Sequence, residues 1–206
     1  GIVWDEFEKK NNKNFKLKKV LKKLNVTPLK KTTIKFLNWF AEYNIIPKGM
    51  ALKLVLLSSN AIEMFQKEVF KTFNTNNKPS KIKLSEEQKR SLKKMNISND
   101  KFRVHVLQGT TGSGKTIVYF SALKEIMNKD FQGLILLPEI GLTSQFEKKF
   151  LEFFGIAPAV WHSSISKKKK EIIWSGVANG EIKVVIGARS SLFLPFKKLG
   201  LIIVDE

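Results

Sequence analysis

The eight residues Gly109 to Thr116, GTTGSGKT, constrain this chain more than any other stretch. They satisfy the pattern G-x-x-x-x-G-K-[ST] and stand between an apolar strand pattern and a helical one. Glycines at 109, 112 and 114 let the backbone turn through conformations closed to residues with a Cβ, so successive N–H groups can converge on phosphate oxygens at a helix N-terminus. In this reading Gly109, Thr110, Thr111, Gly112, Ser113 and Gly114 form the cradle and Lys115 reaches the β- and γ-phosphates of a nucleotide. Thr116 offers a hydroxyl to Mg²⁺, an ion that keeps most of its waters and binds through few protein oxygens. A glycine-rich turn would match by accident in on the order of one chain in a hundred of this size, and correct placement makes chance rarer.

A second element, LGLIIVDE, ends the sequence. Leu201 to Val204 read as a buried strand that delivers Asp205 and Glu206 at its C-terminal end, where ligands bind in open α/β sheets. Asp205 is suited to hold Mg²⁺ through water, and Glu206 to orient or deprotonate an attacking water in γ-phosphoryl transfer. Lys115 and Glu206 are therefore the candidate catalytic residues. Alone, the acidic pair reads first as a solvated strand end; with the loop upstream the balance reverses.

Beyond about Lys78, short apolar strands alternate with longer helical patterns, the signature of βαβ units and a parallel sheet. The pattern predicts strands at Val104–Leu107, Leu134–Leu137, Ala159–Trp161, Val184–Ile186 and Leu201–Val204. Helices are expected near Thr116–Asn128, Thr143–Phe154 and Lys167–Asn179, each crossover long enough for a right-handed parallel connection. The class is α/β. The first 57 residues are less regular. Ile2-Val3-Trp4 reads as a short strand, and Leu17, Val20, Leu21 and Leu24 fall at helical spacing. TTIKFLNWFAEY predicts a helix capped by Thr32 or Thr33 and ended by Pro47 and Gly49. The following ALKLVLL fits a buried strand or another helix. Residues 58–80 lose periodicity towards FNTNNKPS, as a linker does.

The formal charge is +19, from 37 Lys+Arg against 18 Asp+Glu, and residues 1–100 hold 22 of the basic side chains. Such an excess points to a polyanion, nucleic acid first. Nearly all the positive residues are Lys, however, and Asn is abundant, which a biased genome would also produce; charge alone is weak support. Cysteine is absent, which excludes disulfides and thiolate metal sites within these residues and suits a reducing compartment. No stretch approaches the ~18 apolar residues that would span a bilayer, and no leader-like opening is visible. A soluble cytoplasmic protein without a membrane partner is expected.

LLPEIGLTSQ (136–145), HSSIS (162–166), IGARSSLF (186–193) and LGLIIVDE (199–206) occur in an order that resembles the first lobe of the bacterial primosomal replication-restart helicases, members of helicase superfamily 2. The likeness is dense from Leu84 to Glu206. Residues 1–57 resemble part of that family's DNA 3′-end-binding domain, through GIVW and the F-A-E-Y…P-x-G stretch at Phe40 to Gly49; there the family implies a strand where KLKKVLKKL looks helical.

The resemblance implies a RecA-like P-loop lobe at 81–206, preceded by a small basic α+β remnant at 1–57. The linker at 58–80 is too short for the winged-helix domain of many relatives. Gly141, Thr143, Arg189 and Ser190 would hold a single-strand phosphate through backbone N–H groups, hydroxyls and a guanidinium. Gln88 in LSEEQKR has two readings that the sequence leaves level: with Ser85 it forms a capping box, or its amide reads the N6/N7 edge of adenine. His162 reads as a neutral histidine at a strand end. Thr110, Ile117 and Ala188 depart from the family's usual residues, but none removes a phosphate or metal ligand.

The implied cofactors are ATP and Mg²⁺, with zinc only in an intact relative. The implied partners are DNA, as single strand and fork, and the primosome and single-strand-binding proteins met by the intact protein. The chain starts at Gly1 and stops at Glu206, so it reads as a fragment, expected alone to bind ATP·Mg²⁺ weakly and not to unwind DNA, since loss of an arginine finger costs about 10³–10⁵ in rate. Two other classes compete. Another P-loop NTPase is disfavoured because no N-K-x-D and no L-S-G-G-Q follows the loop. A non-enzymatic basic DNA-binding remnant would leave nucleotide affinity indifferent to Lys115.

Overall fold

A computed structural model describes residues 28–56, 83–97, 101–138 and 143–205. The expectations for Ile2-Val3-Trp4, for Leu17 to Leu24 and for the linker at 58–80 lie outside them, as do Gly141 and Glu206.

The first described unit is a helical hairpin, α1 (Lys31–Tyr43) and α2 (Lys48–Val55). Leu37 and Ala41, one turn apart, face Ala51 and Val55, and all four are buried; the two alanines leave room for close helix approach. Helix α1 starts at Lys31, after an extended Lys30 that makes no side-chain cap. Thr32 and Thr33 therefore lie inside the first turn and are not the cap. Pro47 is the N-cap of α2 and Gly49 lies within it, so Ala51 to Val55 of ALKLVLL are helical and Leu56 is the extended C-cap, and the chain reverses at Asn44 and Ile45 instead.

The larger unit contains α3 (Glu86–Met95), α4 (Lys115–Asn128), β1 (Gln132–Leu136), α5 (Ser144–Phe154), β2 (Ala159–Trp161), α6 (Lys167–Asn179), β3 (Val184–Gly187), a 3₁₀ turn (Arg189–Phe193) and β4 (Leu199–Val204). The strands form one parallel sheet in the order β2-β3-β1-β4, so the α/β class with a parallel sheet holds. Alternation along the strands sorts the core into two layers, as a period of two requires. Ile135, Val184, Ile186 and Ile203 pack with Phe120, Leu123 and Ile126 of α4 and Phe150 and Phe153 of α5. Leu134, Val185 and Trp161 pack with Ile173, Trp174 and Val177 of α6. Phe120 is the hub of the first layer, its ring 5.3 to 5.8 Å from those of Phe146, Phe150, Phe153 and Phe154.

Gln132 opens β1 with its side chain wholly buried. Its Nε2 donates to Ile182 O at 2.7 Å and Val177 O at 3.0 Å, and its Oε1 accepts from Lys198 N at 2.8 Å. One amide thus satisfies the backbone at the entries to β3 and β4, which is what allows a polar group there.

The segment expected as a strand at Val104–Leu107 forms no ladder. Phe102, Val104 and Val106 are 93%, 77% and 90% exposed, and among the described residues β4 has no neighbour on its outer side. The alternation of FRVHVL supplies one apolar face but cannot supply a ladder partner, and the backbone here runs free of β4. No helix among the described residues is long and apolar enough to cross a membrane.

Candidate nucleotide-binding site

The GTTGSGKT loop runs directly into α4, whose N-cap is Gly114 in the left-handed region, with Gly112 also at positive φ (81° and 82°). Both positions need glycine, since a side chain would be strained there. Ser113 N donates to Thr110 O at 3.2 Å, which tightens the turn. The Lys115 Nζ donates across the curl to Gly109 O at 2.7 Å and Thr110 O at 3.1 Å.

Helix α3 locks this loop from outside. Ser85 accepts from Gln88 N at 3.3 Å while Gln88 Oε1 accepts from Ser85 N at 2.9 Å, a complete capping box. The remaining end of the same amide, Nε2, donates to Ser113 O at 3.4 Å, and a Cβ on Gly114 would clash with it. Gln88 is therefore a cap and a loop contact at once.

Across the loop stands the tip of β4. Asp205 N donates to Leu136 O at 3.1 Å, so the aspartate is carried just past the C-terminal edge of β1 and β4. Thr111 to Ile117 and Asp205 line one cavity of about 520 Å³, with Phe120 beneath and Lys149, Glu152 and Phe153 of α5 as its far wall. The hydroxyl of Tyr119 donates to Asp205 Oδ2 at 2.6 Å. Burial first, and then that hydrogen bond, hold the phenol well above its usual range. Among the described residues no three His, Asp or Glu side chains converge; of the hydroxyls and carboxylates that line the cavity, Thr116 at the start of α4 and Asp205 at the tip of β4 make a sparse pair that suits a magnesium ion bound largely through water and phosphate.

Thr143, Arg189 and Ser190 fall on the same edge of the sheet but outside this cavity. Thr143 caps α5, its Oγ1 accepting from Phe146 N at 3.3 Å. Arg189 and Ser190 are exposed at the start of the 3₁₀ turn. That turn is held from below: Ala188 N donates to Trp161 O at 3.2 Å and the buried Ser191 donates through Oγ to Ala188 O at 2.6 Å. A Cβ on Gly187 would lie 2.6 Å from Trp161 O, so glycine is required where β2, β3 and the turn meet. His162 Nδ1 accepts from Ser164 N at 3.3 Å, a local turn contact.

Sequence reasoning missed Tyr119, Lys149 and Glu152. Tyr119 was legible in principle, since it follows Thr116 by three residues and so shares its face of α4. The α5 residues carried no signal, because their approach depends on how α5 packs on Phe120.

Comparison with known proteins gives two matching family models. Residues 81–206 match the family described as "Type III restriction enzyme, res subunit". Residues 1–57 match the one described as "3'DNA-binding domain (3'BD)". Among curated proteins, the chain is 39% identical over 209 residues to the replication restart protein PriA of Rickettsia conorii, an alignment covering 100% of this chain and 31% of that protein. It is 40% identical over 208 residues to that of Rickettsia felis, with the same coverage. The PriA of Bacillus subtilis is 35% identical over 144 residues, 69% of this chain and 17% of the relative. The chain thus spans about a third of the length of its rickettsial relatives.

Proposed function

Because this chain belongs to the family described as "Type III restriction enzyme, res subunit" and is homologous along its whole length to the replication restart proteins PriA, we propose that it is the ATP- and DNA-binding part of an ATP-dependent DNA helicase acting in replication restart. The observation that carries the reading is the shared cavity, which Thr111 to Thr116 of the GTTGSGKT loop and Asp205 line together.

The residues divide the work as follows. Backbone N–H groups of the loop and the N-terminus of α4 take the phosphates. Lys115 leaves the Gly109 and Thr110 carbonyls to neutralise the terminal phosphate. Thr116 and Asp205 hold Mg²⁺, which when bound neutralises charge on the phosphate oxygens. Glu206 orients the attacking water. Gln88 recognises adenine while remaining tied to the loop. Single-stranded DNA crosses the same sheet edge beside Thr143, Arg189 and Ser190, with Gly141 in the adjoining loop, and the basic excess of the N-terminal 100 residues favours the strand's phosphates. Cytoplasmic location and contact with primosome and single-strand-binding proteins belong to the same proposal, through the intact protein.

Binding of a fluorescent ATP analogue, with ATP and GTP as competitors, tests it. ATP should displace the probe better than GTP, and Lys115→Ala should abolish binding. Preference for GTP would favour another class of P-loop NTPase, and unchanged affinity in the variant would leave only a basic DNA-binding module.

A further inference from the structure

Tyr119 has no part in the roles above, yet its hydroxyl is bonded to the carboxylate to which the metal is assigned. It lies on α4 one turn beyond Thr116, is 6% exposed, and packs edge-to-face on Phe120 with ring centroids 5.3 Å apart. The ring is thereby fixed in the core between α4 and the sheet. Its oxygen donates to Asp205 Oδ2 at 2.6 Å. A carboxylate at a strand tip otherwise turns through a broad, roughly two-fold torsion. Occupying one carboxylate oxygen with a rigid donor sets the plane of the group and leaves the other oxygen for a ligand.

We propose that Tyr119 is a positioning residue for the magnesium site, fixing the carboxylate of Asp205 from α4 so that it and Thr116 present one preset pair of oxygens. The proposal rests on the ATP·Mg²⁺ reading. A merely structural tyrosine would instead satisfy its own buried hydroxyl, and its loss would change stability but not the demand for metal.

The test is Tyr119→Phe in the 206-residue chain, which removes one oxygen and keeps the ring. Nucleotide binding is followed with the fluorescent ATP analogue while Mg²⁺ is titrated, and in parallel with EDTA present. The expected result is a thermal midpoint close to that of the unsubstituted chain, equal affinity in EDTA, and about a tenfold rise in the Mg²⁺ concentration at half-maximal effect, the low end for loss of a residue that orients a metal ligand. The same substitution in an Asp205→Asn background should add nothing further. A Mg²⁺ midpoint equal to or below that of the unsubstituted chain overturns the positioning role, as does a full effect in the Asp205→Asn background. If the unsubstituted chain shows no Mg²⁺-dependent binding at all, the ATP reading falls and this assignment falls with it.

Discussion

The indole Nε1 of Trp174 donates to the backbone oxygen of Val55 at 2.6 Å, joining the last residue of α2 to the middle of α6. This bond ties the helical hairpin to the parallel-sheet unit across a long stretch of sequence. Phe193, the last residue of the 3₁₀ turn that begins with Arg189, reinforces it. Its ring lies 5.5 Å from Phe36 and 4.9 Å from Phe40 of α1. The hairpin therefore rests on the turn that exposes Arg189 and Ser190.

Trp174→Phe should leave the Val55 carbonyl without this donor in a buried position, at a cost of about 1–3 kcal/mol. Limited proteolysis reads it locally: cleavage within residues 31–55 should precede loss of the sheet unit. Simultaneous loss of both units, at the unsubstituted chain's rate, would show that the hairpin does not depend on this bond.

Phe193→Ala should loosen the same junction, by roughly 2 kcal/mol because the ring is only partly buried and fully buried phenylalanines cost about 3–5. If the 3₁₀ turn needs that support, affinity for single-stranded oligonucleotide should drop along with urea stability. Arg189→Ala, made in parallel, should weaken oligonucleotide binding with stability unchanged.

Replacing Gln132 by Leu keeps the volume but withdraws the donor from Ile182 O and the acceptor from Lys198 N. Val177 O still receives Gly180 N at 3.1 Å. A loss of about 2–6 kcal/mol is expected from two stranded backbone groups at ~1–3 each. A denaturation midpoint within error of the parent would contradict the account of this residue given above.

The acid limit of stability should carry the mark of Asp130. Its carboxylate is hydrogen-bonded by Lys183 at 2.5 Å and Lys198 at 2.9 Å. These, the Lys183 bond first, lower its pKa from 3.8 to about 2. A folded-state value below the unfolded one means that the contribution is complete above roughly pH 4 and disappears as pH falls towards 2. Asp130→Asn is a clean probe, because asparagine tolerates the positive φ of 63° found there. The thermal midpoint of the variant should lie slightly below the parent's at pH 7 and meet it near pH 2; a gap that widened with acid would reverse the argument. Exposure makes the difference small.

What the sequence disclosed and what it withheld follow from how local each cause is. GTTGSGKT and the apolar run before Asp205 carry their chemistry within a few residues, and the alternation of strands and helices gave the class. Ala159–Trp161 was placed to the residue. Val104–Leu107 failed because a strand is completed by its neighbour, and no periodicity reports whether one is within reach. Ser85 and Gln88 showed their cap by spacing, but not that the spare amide hydrogens would touch Ser113. Trp174 and Val55 were beyond reading, since nothing local links a helix interior to a distant helix end. Gly141 and Glu206 lie outside the described residues and keep their expected roles only as proposals.

The open side of β4 has a practical consequence. Ile202 and Val204 are 46% and 65% exposed, beside backbone groups that face no ladder partner among the described residues. An exposed apolar edge of that kind templates pairing between copies. Concentrated solutions of this polypeptide should grow β-rich oligomers, and dilution or a lysine at Val204 should disperse them, so binding assays belong at low protein concentration.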